Sequence, residues 1–363
     1  MNMATGLTRR LGLKGPLIQA PMGGGATTPQ MVAAVSNAGA LGSLAGAYLG
    51  PAELRKSIRE VRNLTDRPFA VNLFAPSSDP VLSFAQMEAA VAATRPYRDD
   101  LRIAAPALTP PFSQEFAAQV SVVLSERPAV FSFTFGLPDR HVLEQCRNNS
   151  ILTFGTATTL DEALALQEAG VDAVVAQGAE AGAQRGSFSP QEPDSFIGLI
   201  PLVTVLVHEL RVPVIAAGGI MNGNGIAGAL ALGAQAAQLG TAFLCCDESG
   251  ITSAYRKALL DPNRPRTRPT RAFTGRWARG LENTFMMEME SQPSAILPFP
   301  AQNAFTQDIR KKAAQEGRAE YLSLWAGQGV PLIRSMAAGD LVTTLFHETV
   351  ETLKKLGAAV AQT

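Results

Sequence analysis

Two apolar runs that both end in glycine constrain this chain more than any other feature. Val212 to Ala217 runs into Gly218-Gly219-Ile220, and Ala236 to Leu239 runs into Gly240-Thr241. Between them, Gly225 to Gly233 is rich in Ala and Leu and reads as a helix. The pattern is strand, glycine turn, helix, strand, glycine turn. Adjacent glycine-rich strand ends expose backbone N–H groups side by side, and a helix start would add its dipole, which makes a seat for a phosphate. In an eight-stranded α/β barrel such a seat lies after the seventh and eighth strands.

The rest of the chain supplies the other strands. Short apolar runs at Leu17–Met22, Ala40–Ala45, Phe69–Phe74, Ala129–Phe135, Ile151–Thr156 and Ala173–Gly178 precede the two already named. Each reads as a buried parallel strand. Thr159 to Glu162 has the spacing of a capping box, opening a helix that Gly170 closes. Alternation of strands and helices predicts an α/β protein, a (β/α)8 TIM barrel with a smaller, mainly helical C-terminal cap region. The stretch from Ala75 to Pro128 is too long for one connection and should hold extra helices. The expected division is a barrel over residues 1–258, an Arg/Pro-rich segment and cap over 259–335, and a C-terminal helix over 336–363 packing back on the barrel. Residues 304–318 and 340–358 read as helices of a cap.

Composition narrows the function classes. The chain has 31 Lys+Arg against 31 Asp+Glu, so no net charge calls for nucleic acid or an acidic membrane surface. The 3 cysteines offer neither a disulfide framework nor metal-ligand spacing, so no metal is expected and a reducing cytoplasm fits. No apolar run is long enough to span a bilayer. The segment 261–279 carries six arginines among prolines. It reads mainly as a solvated linker, with Arg276 and Arg279 held open as residues of the site mouth.

Catalytic groups of a barrel sit at the C-terminal ends of its strands. The first run ends in Gln19-Ala20-Pro21-Met22 followed by Gly23, Gly24 and Gly25. It is either a plain turn or a backbone platform for a flat heterocycle. Asn72 and Gln177 are polar residues in apolar strands and need partners. Their amides bond neighbouring backbone or hold a ring carbonyl; the second reading is favoured because both strand ends face the site.

The loop Gln177 to Phe188 completes a set of motifs. With Gln19 to Gly24, Phe69 to Phe74, Phe133 to Pro138, Ala216 to Ile220, Gln238 to Thr241 and Trp325 to Gly329, it resembles the nitronate monooxygenases, a family of FMN-dependent enzymes. The resemblance covers almost the whole chain, with the motifs in order. It implies FMN on a TIM barrel and oxidation of an alkyl nitronate by O2 to a carbonyl compound and nitrite. By position it puts the flavin near Ala20, Pro21, Met22, Gly23, Asn72, Gln177, Gly182 and Gln238, and the phosphate on Gly218, Gly219, Gly240 and Thr241. The implied partners are a small-molecule substrate and O2, with no nucleic acid or membrane, in a monomer or homodimer. Alternatives on the same barrel are an NAD(P)H-dependent FMN reductase of the enoyl-thioester or quinone type, or a catalytically impaired flavin-binding homologue.

One position departs from the family pattern. Where the family carries its His base, this chain has Gln184. An amide cannot take a proton at working pH. His141, which follows the Phe135 to Pro138 turn, is either an exposed helix-start residue, the favoured reading, or a displaced base. His208 and His347 are expected on outer helices. A second departure is Phe299, where the family often has Tyr, which makes the pocket less polar.

Overall fold

The computed structural model describes residues 3–189, 196–263 and 266–360. Strands β1 (Leu17–Gln19), β2 (Gly42–Ala45), β3 (Phe69–Phe74), β4 (Val130–Thr134), β5 (Leu152–Ala157) and β6 (Ala173–Gln177) come first. A two-residue strand β7 (Ala183–Gln184) follows, then β8 (Val214–Ala217), β9 (Ala236–Leu239), β10 (Thr267–Thr270) and β11 (Ala278–Leu281). Eight of them form one parallel sheet in the order β1-β9-β8-β6-β5-β4-β3-β2. An Ile18–Leu41 bridge joins its two ends, with Gln19 N–H donating to Leu41 O at 2.9 Å. The sheet is therefore a closed (β/α)8 barrel, as the strand pattern predicts.

Strand alternation explains how the barrel holds both a core and a site. One row of side chains points outward beneath the helices, with Leu17, Leu44, Val71, Phe131, Val174, Val214 and Ala237 fully or almost fully buried there. The inward row begins apolar, with Ile18, Ala70, Val130, Phe154, Val175, Ile215 and Ala236. Leu7 and Leu11, from a short helix Gly6–Leu11, belong to the same cluster. Two residues further along five of these strands the row turns polar, at Asn72, Ser132, Thr156, Gln177 and Gln238, while β1 and β8 reach Ala20 and Ala217. A polar layer thus forms at the C-terminal end of the barrel, where parallel barrels carry their chemistry.

The long connection after β3 holds helices Phe84–Leu101 and Phe116–Glu126. The C-terminal helix Ala338–Val360 is not part of a cap. It packs between helices Pro29–Ala38 and Gly223–Ala231 and closes the ring as the eighth barrel helix. Ala338, Leu341, Val342 and Leu345 drive that packing by joining the main core. Everything between 259 and 337 is an excursion from the end of the eighth barrel strand. It carries β10 and β11, helices Thr284–Glu290 and Gln307–Glu316, and its own core around Phe273, Phe285 and Met286.

The Arg-rich stretch is thus largely folded rather than a solvated linker. β11 pairs with β10 on one side and β7 on the other in a three-stranded antiparallel sheet. Arg268 meets Glu290 at 2.9 Å, and Arg276 is only 4% exposed. Arg264 lies outside the described residues. Among the described residues, no helix is long and apolar enough to cross a membrane.

Candidate active site

Three chain segments converge at the ends of β8 and β9. Gly218 and Gly219 adopt φ of 128° and 68°, a backbone region that disfavours side chains. Thr241 follows Gly240 in a single 3-10 turn, Thr241–Phe243. The segment Trp325 to Gly329 straps over both: Gly327 N–H donates to Thr241 Oγ1 at 2.9 Å, and Gln328 N–H to Glu180 O at 2.9 Å. The approach is so close that a Cβ on Gly329 would lie 2.5 Å from Gly219 O. The first turn borders the same place, since a Cβ on Gly240 would meet Ala20 Cβ at 3.5 Å and Met22 Sδ at 3.8 Å. The N–H groups of Gly219 and Gly240 find no acceptor among the described residues. These groups are free to meet an anion.

The helix dipole expected to assist the seat is used elsewhere. At the start of helix Gly223–Ala231, Asn222 Oδ1 accepts from Gly225 N–H at 3.0 Å. Gly223 N–H donates to the Glu348 carboxylate at 2.9 Å, and that carboxylate is itself paired with Arg334 at 2.7 Å. A helix start already capped by an acid has little left for a ligand, so the seat rests on its glycine turns.

The loop after β6 is built by side chains. Gln177 Oε1 accepts from Gly186 N–H at 2.7 Å and from Arg185 Nη1 at 3.0 Å, and its Nε2 donates to Gln184 O at 3.1 Å. The amide therefore serves the loop, with one N–H left over. Glu162 forms half of the expected capping box: Thr159 Oγ1 accepts from Glu162 N–H, but the carboxylate does not return to the cap. It accepts instead from Thr158 N–H and Oγ1 and, at 2.6 Å, from Phe188 N–H, tying down the far end of the loop. Arg276 Nη1 donates to Ser187 O at 2.6 Å, and Arg279 Nε to Ala179 O at 3.1 Å. Burial pulls the pKa of Arg185 and of Arg276 down to about 10, so both stay charged near neutrality. Gly182 lies under the strap, where a Cβ would come 2.6 Å from Gly327 N.

The open side of the mouth is aromatic. Phe74 and Phe135, at the ends of β3 and β4, lie 4.5 Å apart, and Phe299 packs on Phe135 at 5.4 Å. Arg276 stacks over Phe135 at 4.1 Å. Phe135 holds φ 79° and Ala183 φ 62°, both in the left-handed region that non-glycine residues avoid. Asn72, 5% exposed, donates from Nδ2 to Ser132 Oγ at 3.0 Å.

Gln184 reaches toward this wall. Its Oε1 accepts from Tyr48 Oη at 3.3 Å, while its Nε2 is buried without a partner among the described residues. Tyr48, in the loop after β2, stands edge-on to Phe74 at 5.3 Å. Desolvation raises its pKa against the pull of the Arg310 charge, so the hydroxyl stays protonated. Sequence reasoning missed Tyr48, Arg310 and the strap's contact with the seat. His141 is exposed at the start of helix Arg140–Asn148, and His208, paired with Glu209, is on the outer helix Leu199–Glu209.

A closed barrel with exposed glycine N–H groups after its last two strands and an aromatic, amide-lined mouth beside them has the form of a cofactor-dependent enzyme. The comparisons give the family. The nitronate monooxygenase sequence profile matches residues 5–348, and the chain belongs to that family of flavin-dependent monooxygenases. It is 39% identical over 98% of its length to a probable nitronate monooxygenase of Staphylococcus saprophyticus, covering 100% of that protein. Its structure is similar to nitroalkane oxidase from Streptomyces ansochromogenes, with TM-score 0.90 and 40% identity over 97% of this chain and 100% of the other. FabK from Thermotoga maritima is more distant, with TM-score 0.75 and 28% identity over 97% and 98% of the two chains.

Proposed function

We propose that this chain oxidises preformed alkyl nitronates with O2, giving a carbonyl compound and nitrite, and that its flavin is FMN. The phosphate would sit on Gly218, Gly219, Gly240 and Thr241. The ring would lie among Ala20, Pro21, Met22, Gly23, Asn72, Gln177, Gly182 and Gln238. The free N–H groups of Gly219 and Gly240, side by side at two strand ends, suit a phosphate. Bound there, FMN supplies the electron acceptor and the route to O2. The proposal places the enzyme in the cytoplasm, acting on a small molecule.

The observation that carries the reading is the Gln184 amide. Its buried N–H, without a partner among the described residues, is a donor in want of an oxygen. A nitronate is an anion with two such oxygens and has already lost its α-proton, so it needs hydrogen-bond donors rather than a base. The Phe74, Phe135 and Phe299 wall receives the alkyl part. A neutral nitroalkane would need a base worth about 10²–10⁴-fold in rate, and Gln184 cannot act as one.

The test is oxygen uptake with a preformed propyl nitronate beside freshly neutralised nitropropane. The nitronate should react at least ~10²-fold faster in kcat/KM, and cofactor released by heat should migrate as FMN. Equal rates would reveal a base elsewhere in the chain. Rapid anaerobic bleaching by NADH or NADPH without nitronate turnover would move the assignment to a reductase.

A further inference from the structure

We infer that Tyr48 is the positioning residue of this site: its hydroxyl fixes the Gln184 amide so that the Gln184 N–H faces the substrate oxyanion. The inference rests on the nitronate reading of the site. In the barrel order β2 and β6 lie half a ring apart. The Tyr48–Gln184 hydrogen bond, at 3.3 Å, therefore joins loops that start from opposite walls and meet over the mouth. A phenol that donates can be met only by the amide oxygen. The oxygen is then held toward Tyr48, and the two amide N–H bonds are turned away from it. The nitrogen so directed is buried and has no partner among the described residues. Left to rotate freely, an amide would offer a substrate oxygen its own oxygen half of the time, and that would repel an anion.

The surroundings hold Tyr48 in place for this task. Its ring stands at 89° to Phe74. Its other edge rests against Gly23, where a Cβ would come within 3.0 Å of the ring. A side chain at 23 would press on the tyrosine ring, which would have to give by about a few tenths of an ångström. Arg310 holds a positive charge on the same side. Its Nη2 donates to Asn303 O at 2.6 Å and Oδ1 at 3.0 Å, which anchors the cation within the cap helix. An oxyanion entering between Tyr48 and the barrel would thus meet one fixed N–H donor under a positive field.

The experiment uses the flavin-loaded enzyme and two readouts: KM and kcat for propyl nitronate, and binding of nitrate, an inert planar oxyanion, followed by its perturbation of the flavin absorbance. Tyr48→Phe should raise KM and the nitrate dissociation constant about 10-fold, with kcat changing less than about 3-fold, as expected for loss of a hydrogen bond to a charged group. Gln184→Ala should do the same. The double variant should match Gln184→Ala alone, because Tyr48 acts only through the amide. Gln184→Glu keeps an acceptor for Tyr48 but has no N–H and adds a negative charge, and should bind nitrate more weakly than Gln184→Ala. Unchanged KM and nitrate binding in Tyr48→Phe, or a double variant showing the full product of the two effects, would overturn the inference even if nitronate is a good substrate. Weakened, non-additive nitrate binding without nitronate turnover would uphold the Tyr48–Gln184 device while removing nitronate as the substrate.

Discussion

The two sides of the barrel mouth are made in different ways. Around the ends of β1, β8 and β9 the site is backbone: glycine N–H groups, positive-φ turns, and a strap whose own glycines let it approach within contact distance. Around the ends of β2, β3, β4 and β6 it is side chain, with Tyr48, Phe74, Phe135, Gln177 and Gln184 held by Glu162, Arg185, Arg276 and Arg279. A phosphate is the same in every substrate reaction, so a rigid backbone cradle would serve it under the proposed function. The reacting molecule varies, and side chains can be exchanged without rebuilding the strands. Changes on the first side should therefore abolish cofactor binding, and changes on the second should redirect or slow chemistry while the cofactor stays.

The largest expected effect is on the backbone side. Gly219→Val places a branched side chain at φ 68°, with its Cβ 3.0 Å from Glu180 Cβ. Strain alone would cost about 1–2 kcal/mol, and the branch crowds the seat. Flavin affinity should fall at least ~10²-fold, well beyond the drop in apoprotein stability. Gly240→Ala sharpens the test. Its φ is −106°, and a Cβ there meets nothing closer than 3.5 Å, so the fold should tolerate it. Loss of flavin from this variant, at unchanged apoprotein Tm, would locate the phosphate. Full occupancy of both variants at low FMN would mean the seat is elsewhere and the contrast is false.

The same division decides what the sequence reveals. The eight barrel strands are legible because each is an apolar run of fixed length closed by a turn residue. The glycine turn at 218–219 is legible because its positive φ favours glycine, and that at 240 because a glycine closes an apolar run. The side-chain half is assembled from distant residues. Arg276 finds Ser187 across 89 positions and Tyr48 finds Gln184 across 136. A stretch rich in Pro and Arg has the composition of a solvated linker. Only the folded sheet shows why Arg276 is buried against Ser187 O and Arg279 half-buried beside β7. Glu162 has the spacing of a helix cap, and no local pattern says that its carboxylate would instead hold Phe188 N–H. The eighth helix is hidden for a different reason: nearly a hundred residues separate it from the strand it follows, so it reads as part of a cap.

The next effect is a gain. Gln184→His returns an imidazole to the position where the family has one. Tyr48 Oη is already within 3.3 Å of the residue's side chain. The hydroxyl can turn to accept the imidazole N–H, which leaves the second ring nitrogen free to take the α-proton of a nitroalkane. kcat/KM for nitropropane should rise by about 10²-fold, and that for the nitronate should change far less, because it has no proton to lose. Flavin occupancy should be unaltered. An equal gain on both substrates would mean that the imidazole acts by charge rather than as a base, and a loss of flavin would show that the two sides of the mouth are not separable.

The smallest effect concerns the brace behind the loop. Glu162 is 6% exposed, and its carboxylate accepts from Thr158 N–H, Thr158 Oγ1 and Phe188 N–H. Glu162→Gln preserves the shape but leaves one acceptor oxygen and turns an NH2 group toward an N–H donor. The mismatch should cost about 1–3 kcal/mol, the range for a buried group left without its partner. That energy falls on the Ser187–Phe188 end of the loop, next to the Arg276 contact with Ser187 O at 2.6 Å, and not on the glycine turns. Activity on nitronate should drop by roughly 10-fold, in the way that misplacing a contact group slows a reaction, while the FMN dissociation constant stays within about 2-fold of the parent value. Measuring both in one preparation separates the halves of the mouth. If flavin is lost in step with activity, the brace supports the whole rim, and the backbone cradle depends on side chains after all.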